Sequence, residues 1–403
     1  MPERPTLVIR WATWWPIHYW IDRFNALAQW PGIEFEAIFL APSQSHYPID
    51  LDASDWRFKH RILSRGTSSA GFYKISRKLL DPRPLIPEGR GTALVMPYAD
   101  PAFMSAAALA WLKRRPYHLF VANTKYDSRS GSQIYEAAKV VMFRGARGCL
   151  ATGPLQVEYA RAYAGPSKPL YVIGNPVDGV RLRQHAQEFV RSRDEERGKL
   201  GWEAQVVVCY VGRLAPEKDL STLITAISQT QAQDVSMTLV LVGTGPEESK
   251  LRMQSAALGV RTHFAGFLEG EQLARVYASS DIFVLPSTSE PWGLVVNEAM
   301  EFGLPSIVSD RVGAKHLVTH GENGFHFHAG DAQELSKLLL RLAQDPSLRK
   351  VFGNNSRIRI RDETIANWCR RVITALRASD GTGARENYKE AAVGTASGSD
   401  SLG

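Results

Sequence analysis

The stretch Val206-Val-Val-Cys-Tyr-Val211-Gly212-Arg213-Leu-Ala-Pro216-Glu217-Lys218-Asp219-Leu220 decides the fold. Six apolar residues, four of them valine, predict a strand buried on both faces. Glycine and proline then turn the chain, and a helix is predicted over residues 218–230. The same unit recurs downstream, with strands predicted at 237–242, 261–264, 282–285 and 306–308 and helices at 247–258, 270–278, 293–302 and 331–344. In the first half, strands are predicted at 6–10, 33–39, 93–96, 118–122, 148–151 and 170–173, and helices at 17–29, 102–113, 132–143 and 154–164. Strands alternating with helices imply parallel sheets covered on both faces.

A chain of 403 residues suits two domains. The predicted division is a Rossmann-like domain at 1–178 carrying a Ser-, Pro- and Arg-rich insertion at 41–92, then a linker at 179–204 after the turn Gly174-Asn-Pro-Val-Asp178. A second Rossmann-like domain follows at 205–360, then an amphipathic helix within 361–379 and a Gly/Ser/Ala/Thr-rich tail at 380–403, expected to be disordered.

Apolar and charged contents of 44% and 22% are those of an ordinary globular protein. No apolar run reaches the roughly 18 residues of a membrane span, and Met1-Pro-Glu-Arg-Pro-Thr does not read as a secretory signal. Cys149, Cys209 and Cys369 lack the paired spacing of a zinc or redox site and are expected as buried thiols in the cytoplasm. The net charge of +7 is unevenly spread, since Arg57, Lys59, Arg61, Arg65, Lys74, Arg77, Lys78, Arg83 and Arg90 meet only Asp81 and Glu88. That stretch is either a solvated face or a surface for an anionic partner, such as the inner leaflet of a membrane or a phosphate-bearing acceptor. No nucleic-acid-binding motif accompanies it.

Functional chemistry concentrates in Pro286-Ser-Thr-Ser-Glu290-Pro-Trp-Gly-Leu-Val-Val-Asn-Glu298-Ala. Glu290 and Glu298 flank a glycine-led turn into a helix, whose first backbone N–H groups and positive dipole end suit an anion. Carboxylates beside it can accept hydrogen bonds from hydroxyls, so phosphate next to sugar is the implied ligand. Together with Val211–Leu220, Leu239-Val-Leu-Val-Gly243-Thr-Gly245-Pro246 and Phe264-Ala-Gly266-Phe267, this order of segments resembles the retaining GT-B glycosyltransferases of the group 1 (family 4) type, over roughly residues 205–345.

The resemblance implies two doubly wound domains facing a cleft and a nucleotide-sugar donor. It implies Arg213 and Lys218 on the donor diphosphate, Glu298 on the ribose, and Glu290 as the catalytic carboxylate beside the transferred sugar. Backbone N–H groups of Gly293, Leu294 and Val295 would face the phosphates, with Gly266 and Phe267 at the base, although Phe267 also reads as core. No metal-holding Asp-X-Asp motif and no cofactor is expected, the acceptor being a sugar or lipid-linked glycan. His316, His320, His326 and His328 lie close in sequence but show no acidic partner for a metal. Trp11, Trp14, Trp15, Tyr19 and Trp20 read either as core or as an acceptor platform. Two departures from the family fall in the first domain: Arg10-Trp-Ala-Thr-Trp-Trp-Pro16 replaces a glycine-rich loop, and Asn123-Thr-Lys-Tyr-Asp127 replaces a His-Asp pair. Trp14, Trp15 and Asn123 are therefore the candidate acceptor contacts. A hydrolysing epimerase, or a non-catalytic sugar-nucleotide-binding protein, is the alternative reading.

Overall fold

The computed structural model describes residues 6–41, 53–63, 81–86, 92–127, 132–191, 193–200, 202 and 206–379. Among the described residues the first sheet has seven strands, β1 (Leu7–Thr13), β2 (Ile33–Phe39), β3 (Lys59–Ile62), β4 (Thr92–Met96), β5 (Tyr117–Val121), β6 (Gly148–Ala151) and β7 (Leu170–Val172), ordered β3-β2-β1-β4-β5-β6-β7. The second has six, β8 (Val206–Val211), β9 (Met237–Val242), β10 (Thr262–Gly266), β11 (Ile282–Leu285), β12 (Ser306–Ser309) and β13 (Gly324–Phe327), ordered β10-β9-β8-β11-β12-β13. Neighbouring strands in both sheets run parallel.

Three strands differ from expectation for visible reasons. β1 runs on to Thr13 because Trp11, Ala12 and Thr13 are buried and continue its pairing onto Ala37, Ile38 and Phe39. β3, inside the insertion, reads Lys-His-Arg-Ile and is exposed throughout, so it offers no apolar pattern. It is an edge strand held by pairing to β2 and by the ion pairs Lys59–Glu34 (3.4 Å) and Arg61–Glu36 (2.6 Å), charges that also discourage further strand addition. β13 reads Gly-Phe-His-Phe, so the glycine and histidine leave no continuous apolar run to announce it.

The helices Pro101–Leu112, Gln133–Gly145 and Pro154–Ala164 cover one face of the first sheet. The helices His18–Ala28 and Ile365–Ser379 cover the other. There Trp11 is fully buried, its ring 5.5 Å from Trp20, 5.8 Å from Phe24, 5.6 Å from Phe120 and 5.5 Å from Trp368. Trp11 and Trp20 are therefore core and not a platform for ligand. The stretch between the domains is two helices, Gly179–Arg191 and Arg193–Leu200, which pack on the helix Gly270–Ser279 of the second domain. Arg193 and Arg197 fasten it by gripping Asp281 at the foot of β11 (2.6 and 2.9 Å).

Cys149, Cys209 and Cys369 are buried free thiols, and burial pushes each up to about 12. Among the described residues no helix is long and apolar enough to cross a membrane. Of the basic stretch, Arg65, Lys74, Arg77, Lys78 and Arg90 lie outside the described residues, as does the 380–403 tail.

Trp368 comes from the far end of the chain yet completes the first domain's core. Replacing Trp368 by Ala should cost about 3–5 kcal/mol, the usual loss for a large buried aromatic. Denaturant unfolding should place the loss in the first domain, with the second domain's near-ultraviolet signal retained.

Candidate functional site

Strand order in the second sheet reverses between β8 and β11, and a doubly wound sheet opens a ligand crevice at the carboxyl end of that junction. The loop after β8 carries Arg213 and Lys218; the loop after β11 carries Glu290 and leads into the helix Leu294–Glu301. The two loops are stitched together by the backbone, Thr288 N–H donating to the Glu217 carbonyl at 2.9 Å. Gly243 and Gly245, after β9, lie flat against the first loop. A Cβ at Gly243 would stand 2.0 Å from the Gly212 carbonyl oxygen, and one at Gly245 2.2 Å from that of Leu214.

Lys218 Nζ sits 2.6 Å from Glu290 Oε2, with both side chains largely buried. Arg213 is half exposed, and its nearest carboxylate, Glu217, is 3.8 Å away. Gly293 caps the helix with φ +93°, a conformation side chains rarely tolerate, and a Cβ there would also press on Leu285. Leu294 and Val295 occupy the first helical turn, where backbone N–H groups have no acceptor within the helix. Arg213, Lys218, Glu290, Gly293, Leu294 and Val295 thus meet along one edge. Gly266 ends β10 beside them, its carbonyl accepting from Gly243 N–H at 2.6 Å, and Phe267 is 64% exposed, which excludes the core reading of its ring.

Glu298 behaves differently. It is 5% exposed, with Oε1 2.9 Å from the Tyr19 hydroxyl and Oε2 2.8 Å from that of Tyr277. Burial pushes this carboxyl above the usual range, and the hydrogen bonds from Tyr277 and Tyr19 draw it partly back. Tyr19 belongs to the first domain, so the contact spans the cleft. Tyr277 was not legible as a site residue because its position reads as helix core.

Other contacts also cross the cleft. Ser289 Oγ donates to Asp127 Oδ1 (2.8 Å), Gln156 Nε2 to the Pro291 carbonyl (2.6 Å), and the Arg311 guanidinium lies 4.6 Å from the Tyr126 ring centre. Asp127 therefore faces the residue next to Glu290, a role its sequence surroundings did not announce. Trp14 and Trp15 are half-buried just past β1, Trp14 edge-on to Phe103, and Asn123 follows β5 and accepts from the Tyr98 hydroxyl at 3.2 Å. These three stand at the carboxyl edge of the first sheet.

His320 and His326 adjoin, the His326 backbone N–H donating to His320 Nδ1 at 3.1 Å with the rings 6.0 Å apart, while the other histidines have separate partners. His316 is buried against Trp292 and burial lowers it to about 4; His326 Nε2 lies 3.0 Å from the Lys315 carbonyl; His328 pairs with Glu334. Among the described residues no three His, Cys, Asp or Glu side chains are grouped to hold a metal.

Residues 192–359 match the family model for glycosyl transferases group 1. Sulfoquinovosyl transferase SQD2 of Arabidopsis thaliana is 33% identical over 154 residues, 38% of this chain and 29% of that protein. A GDP-mannose-dependent monoacylated alpha-(1-6)-phosphatidylinositol monomannoside mannosyltransferase of Corynebacterium glutamicum is 30% identical over 193 residues, 46% of this chain and 50% of that one. The chain spans half or less of the length of these curated relatives. Among solved structures, Anabaena HepE in complex with UDP superposes with a TM-score of 0.72 at 19% identity, covering 92% of this chain and 99% of HepE. Sucrose-phosphate synthase from Thermosynechococcus elongatus gives 0.72 at 20%, covering 94% and 100%. The two domains together have the GT-B architecture. The second is similar to the group 1 glycosyl transferases over residues 192–359.

Because its folded-state carboxyl is raised, Glu298 supports folding fully below the ordinary glutamate range and loses that support as pH rises through its elevated value. Glu298→Gln removes the buried charge. The stability of that variant relative to the parent should therefore grow as pH rises from acid towards neutral and then level off, as read from denaturant midpoints across pH. A difference that does not change with pH would mean the carboxyl is not raised.

Proposed function

We propose that the protein is a retaining glycosyltransferase that moves a sugar from a nucleotide-diphosphate donor to an acceptor hydroxyl, with protein cations in place of a metal at the leaving group. The Lys218–Glu290 pair at the β8/β11 junction, beside the glycine-capped helix start, carries this reading. Relatives and neighbours support the donor class: one relative is GDP-mannose-dependent, and HepE has been solved with UDP-glucose. The relative that is a phosphatidylinositol monomannoside mannosyltransferase supports a lipid-linked glycan acceptor; the proposed setting is glycolipid or polysaccharide synthesis at the cytoplasmic side.

In the proposed step the bond between the anomeric carbon and the diphosphate oxygen breaks while the acceptor oxygen bonds to that carbon from the same face. The acceptor proton passes to the departing phosphate oxygen, and nucleoside diphosphate leaves. Arg213, with its two-pronged guanidinium, and Lys218 meet the growing charge, joined by the helix dipole at Leu294 and Val295. Glu290, next to Lys218, takes the sugar side. Glu298 takes the ribose by exchanging the Tyr19 hydroxyl for a ribose hydroxyl. Gly266 and Phe267 line the base, and Trp14, Trp15 and Asn123 face the acceptor.

A thermal-shift panel of nucleoside diphosphates and nucleotide sugars should identify the donor, since ligand binding raises the melting temperature by mass action. With that donor, transfer should survive a strong chelator, and Arg213→Ala or Lys218→Ala should each slow it about a hundredfold or more. Glu290→Ala should lower turnover with nucleotide affinity kept, whereas Glu298→Ala should weaken nucleotide binding itself. Donor consumption without an acceptor would favour the epimerase-like alternative, and transfer restored to a chelated enzyme only by magnesium or manganese would overturn the metal-free reading.

Tyr19→Phe tests the ribose exchange. Loss of the hydroxyl leaves a buried carboxylate oxygen short of a donor, which costs about 1–3 kcal/mol. The melting deficit should shrink in saturating nucleotide, when a ribose hydroxyl takes that oxygen; a deficit unchanged by nucleotide would remove Glu298 from the ribose.

A further inference from the structure

A cavity of about 340 Å³ opens in the second domain, on the side away from the cleft. Asp281 and Pro305, which immediately precede β11 and β12, stand on its wall. It therefore lies at the amino ends of the strands, whereas Lys218 and Glu290 follow carboxyl ends. One wall is a single stripe of the helix Pro346–Ile360. Pro346, Arg349, Lys350, Gly353, Asn354 and Arg357 recur at the three- and four-residue spacing that puts side chains on one helix face. Gly353 lets that helix approach the opposite wall, since a Cβ there would stand 2.2 Å from the Gly303 carbonyl oxygen.

The lining is unbalanced in charge. Arg193, Arg349, Lys350 and Arg357 line the cavity, and the helix Pro346–Ile360 contains no Asp or Glu. Asp281 also lines it, but Arg193 holds its Oδ1 (2.6 Å) while Arg197 (2.9 Å) and the Val207 N–H (2.8 Å) hold its Oδ2. Asp345, which caps the helix, is occupied by the Leu348 N–H at 2.8 Å. Three of the cations are braced by backbone carbonyls: Arg357 donates to Phe302 (2.8 Å), Arg349 to Leu342 and Ala343 (2.6 and 2.8 Å), and Arg193 to Ala278 (3.2 Å). A guanidinium has five N–H groups, so each keeps donors for a ligand while its position is already fixed. Burial depresses Arg193 and Arg357 below the ordinary arginine range, a cost that a bound anion would relieve. Forked donors reaching in from several sides suit the oxygens of a phosphate dianion. Phe302, Leu304 and Pro305 add an apolar floor, and the volume is at the small end of ligand sites, enough for a body the size of one sugar.

We infer that this cavity binds a phosphate dianion, free or carried on a small sugar, held by Arg193, Arg349, Lys350 and Arg357. It is a second site, separate from the crevice at the β8/β11 junction. The helix Leu294–Glu301 runs from one to the other, its first turn at the crevice and Phe302, just past its end, on the cavity wall. The inference rests on the cavity alone and stands whether or not the chain transfers sugar.

The test is calorimetric titration and thermal shift of the full chain with inorganic phosphate, glucose 6-phosphate and glucose. At least one of the two phosphate compounds should bind saturably and raise the melting temperature, and glucose should do neither. Tighter binding of glucose 6-phosphate would mark a sugar phosphate as the occupant; equal or tighter binding of inorganic phosphate would mark the free anion. Phosphate can also enter the crevice at the β8/β11 junction, so the titration is repeated with Arg213→Ala and Lys218→Ala combined, where binding should persist. In that background, Lys350→Glu with Asn354→Asp should weaken binding roughly tenfold or more, the scale of losing one charge-assisted hydrogen bond. The melting temperature without ligand should hold, because both side chains are exposed. The inference fails if neither phosphate compound binds, or if sodium chloride of equal ionic strength gives the same shift. It fails equally if the Arg213/Lys218 variant loses all binding, or if the Lys350/Asn354 change leaves affinity intact in that background.

Discussion

Parallel pairing is the constraint from which the rest follows. When every strand of a sheet points the same way, every loop that follows a strand emerges on one edge, and the helices needed to return the chain cover both faces. The functional groups can then come from segments far apart in sequence. Lys218 and Glu290 are 72 residues apart and touch because β8 and β11 are neighbours in the sheet. The first sheet obeys the same rule, which brings the residues after β1 and β5 to its carboxyl edge and sets Asp127 against Ser289 across the cleft.

Much of this was legible because buried parallel strands are short, continuous apolar runs. Val206–Val211, Met237–Val242 and Ile282–Leu285 stand out for that reason, and they are the strands that place the Lys218–Glu290 pair. β3 was not legible because its side chains are exposed and charged: only hydrogen bonding to β2 makes it a strand. The family pattern likewise singled out Glu298 but could not disclose its surroundings. Tyr19 reaches it from 279 residues away, and Tyr277 looks like any buried aromatic on an amphipathic helix. Contacts between domains leave no periodic trace in either partner.

A carboxylate enclosed by two phenol hydroxyls is an expensive arrangement when its only neighbours are neutral donors. Arg181 adds a weaker favourable field. Below the same helix, Glu301 is buried too, but Arg183 meets it with bonds of 2.8 and 2.7 Å. One helix therefore carries one carboxylate neutralised by a cation and another left to hydroxyls. The second is the one whose partners a sugar's hydroxyls could replace with little electrostatic change.

The polypeptide passes between the domains twice, first through Gly174–Asp178 and again between the helices Pro346–Ile360 and Ile365–Ser379. The two passages touch. Arg371 and Glu363 form an ion pair of three hydrogen bonds, 3.0–3.1 Å long, over Gly174, where a Cβ would meet Glu363 Oε2 at 2.6 Å and Arg371 Nη1 at 2.7 Å. Two crossings joined at one spot act as a single pivot. Rotation of one domain against the other displaces atoms in proportion to their distance from that pivot, so a small turn at Gly174 becomes a larger stroke at the lips of the cleft.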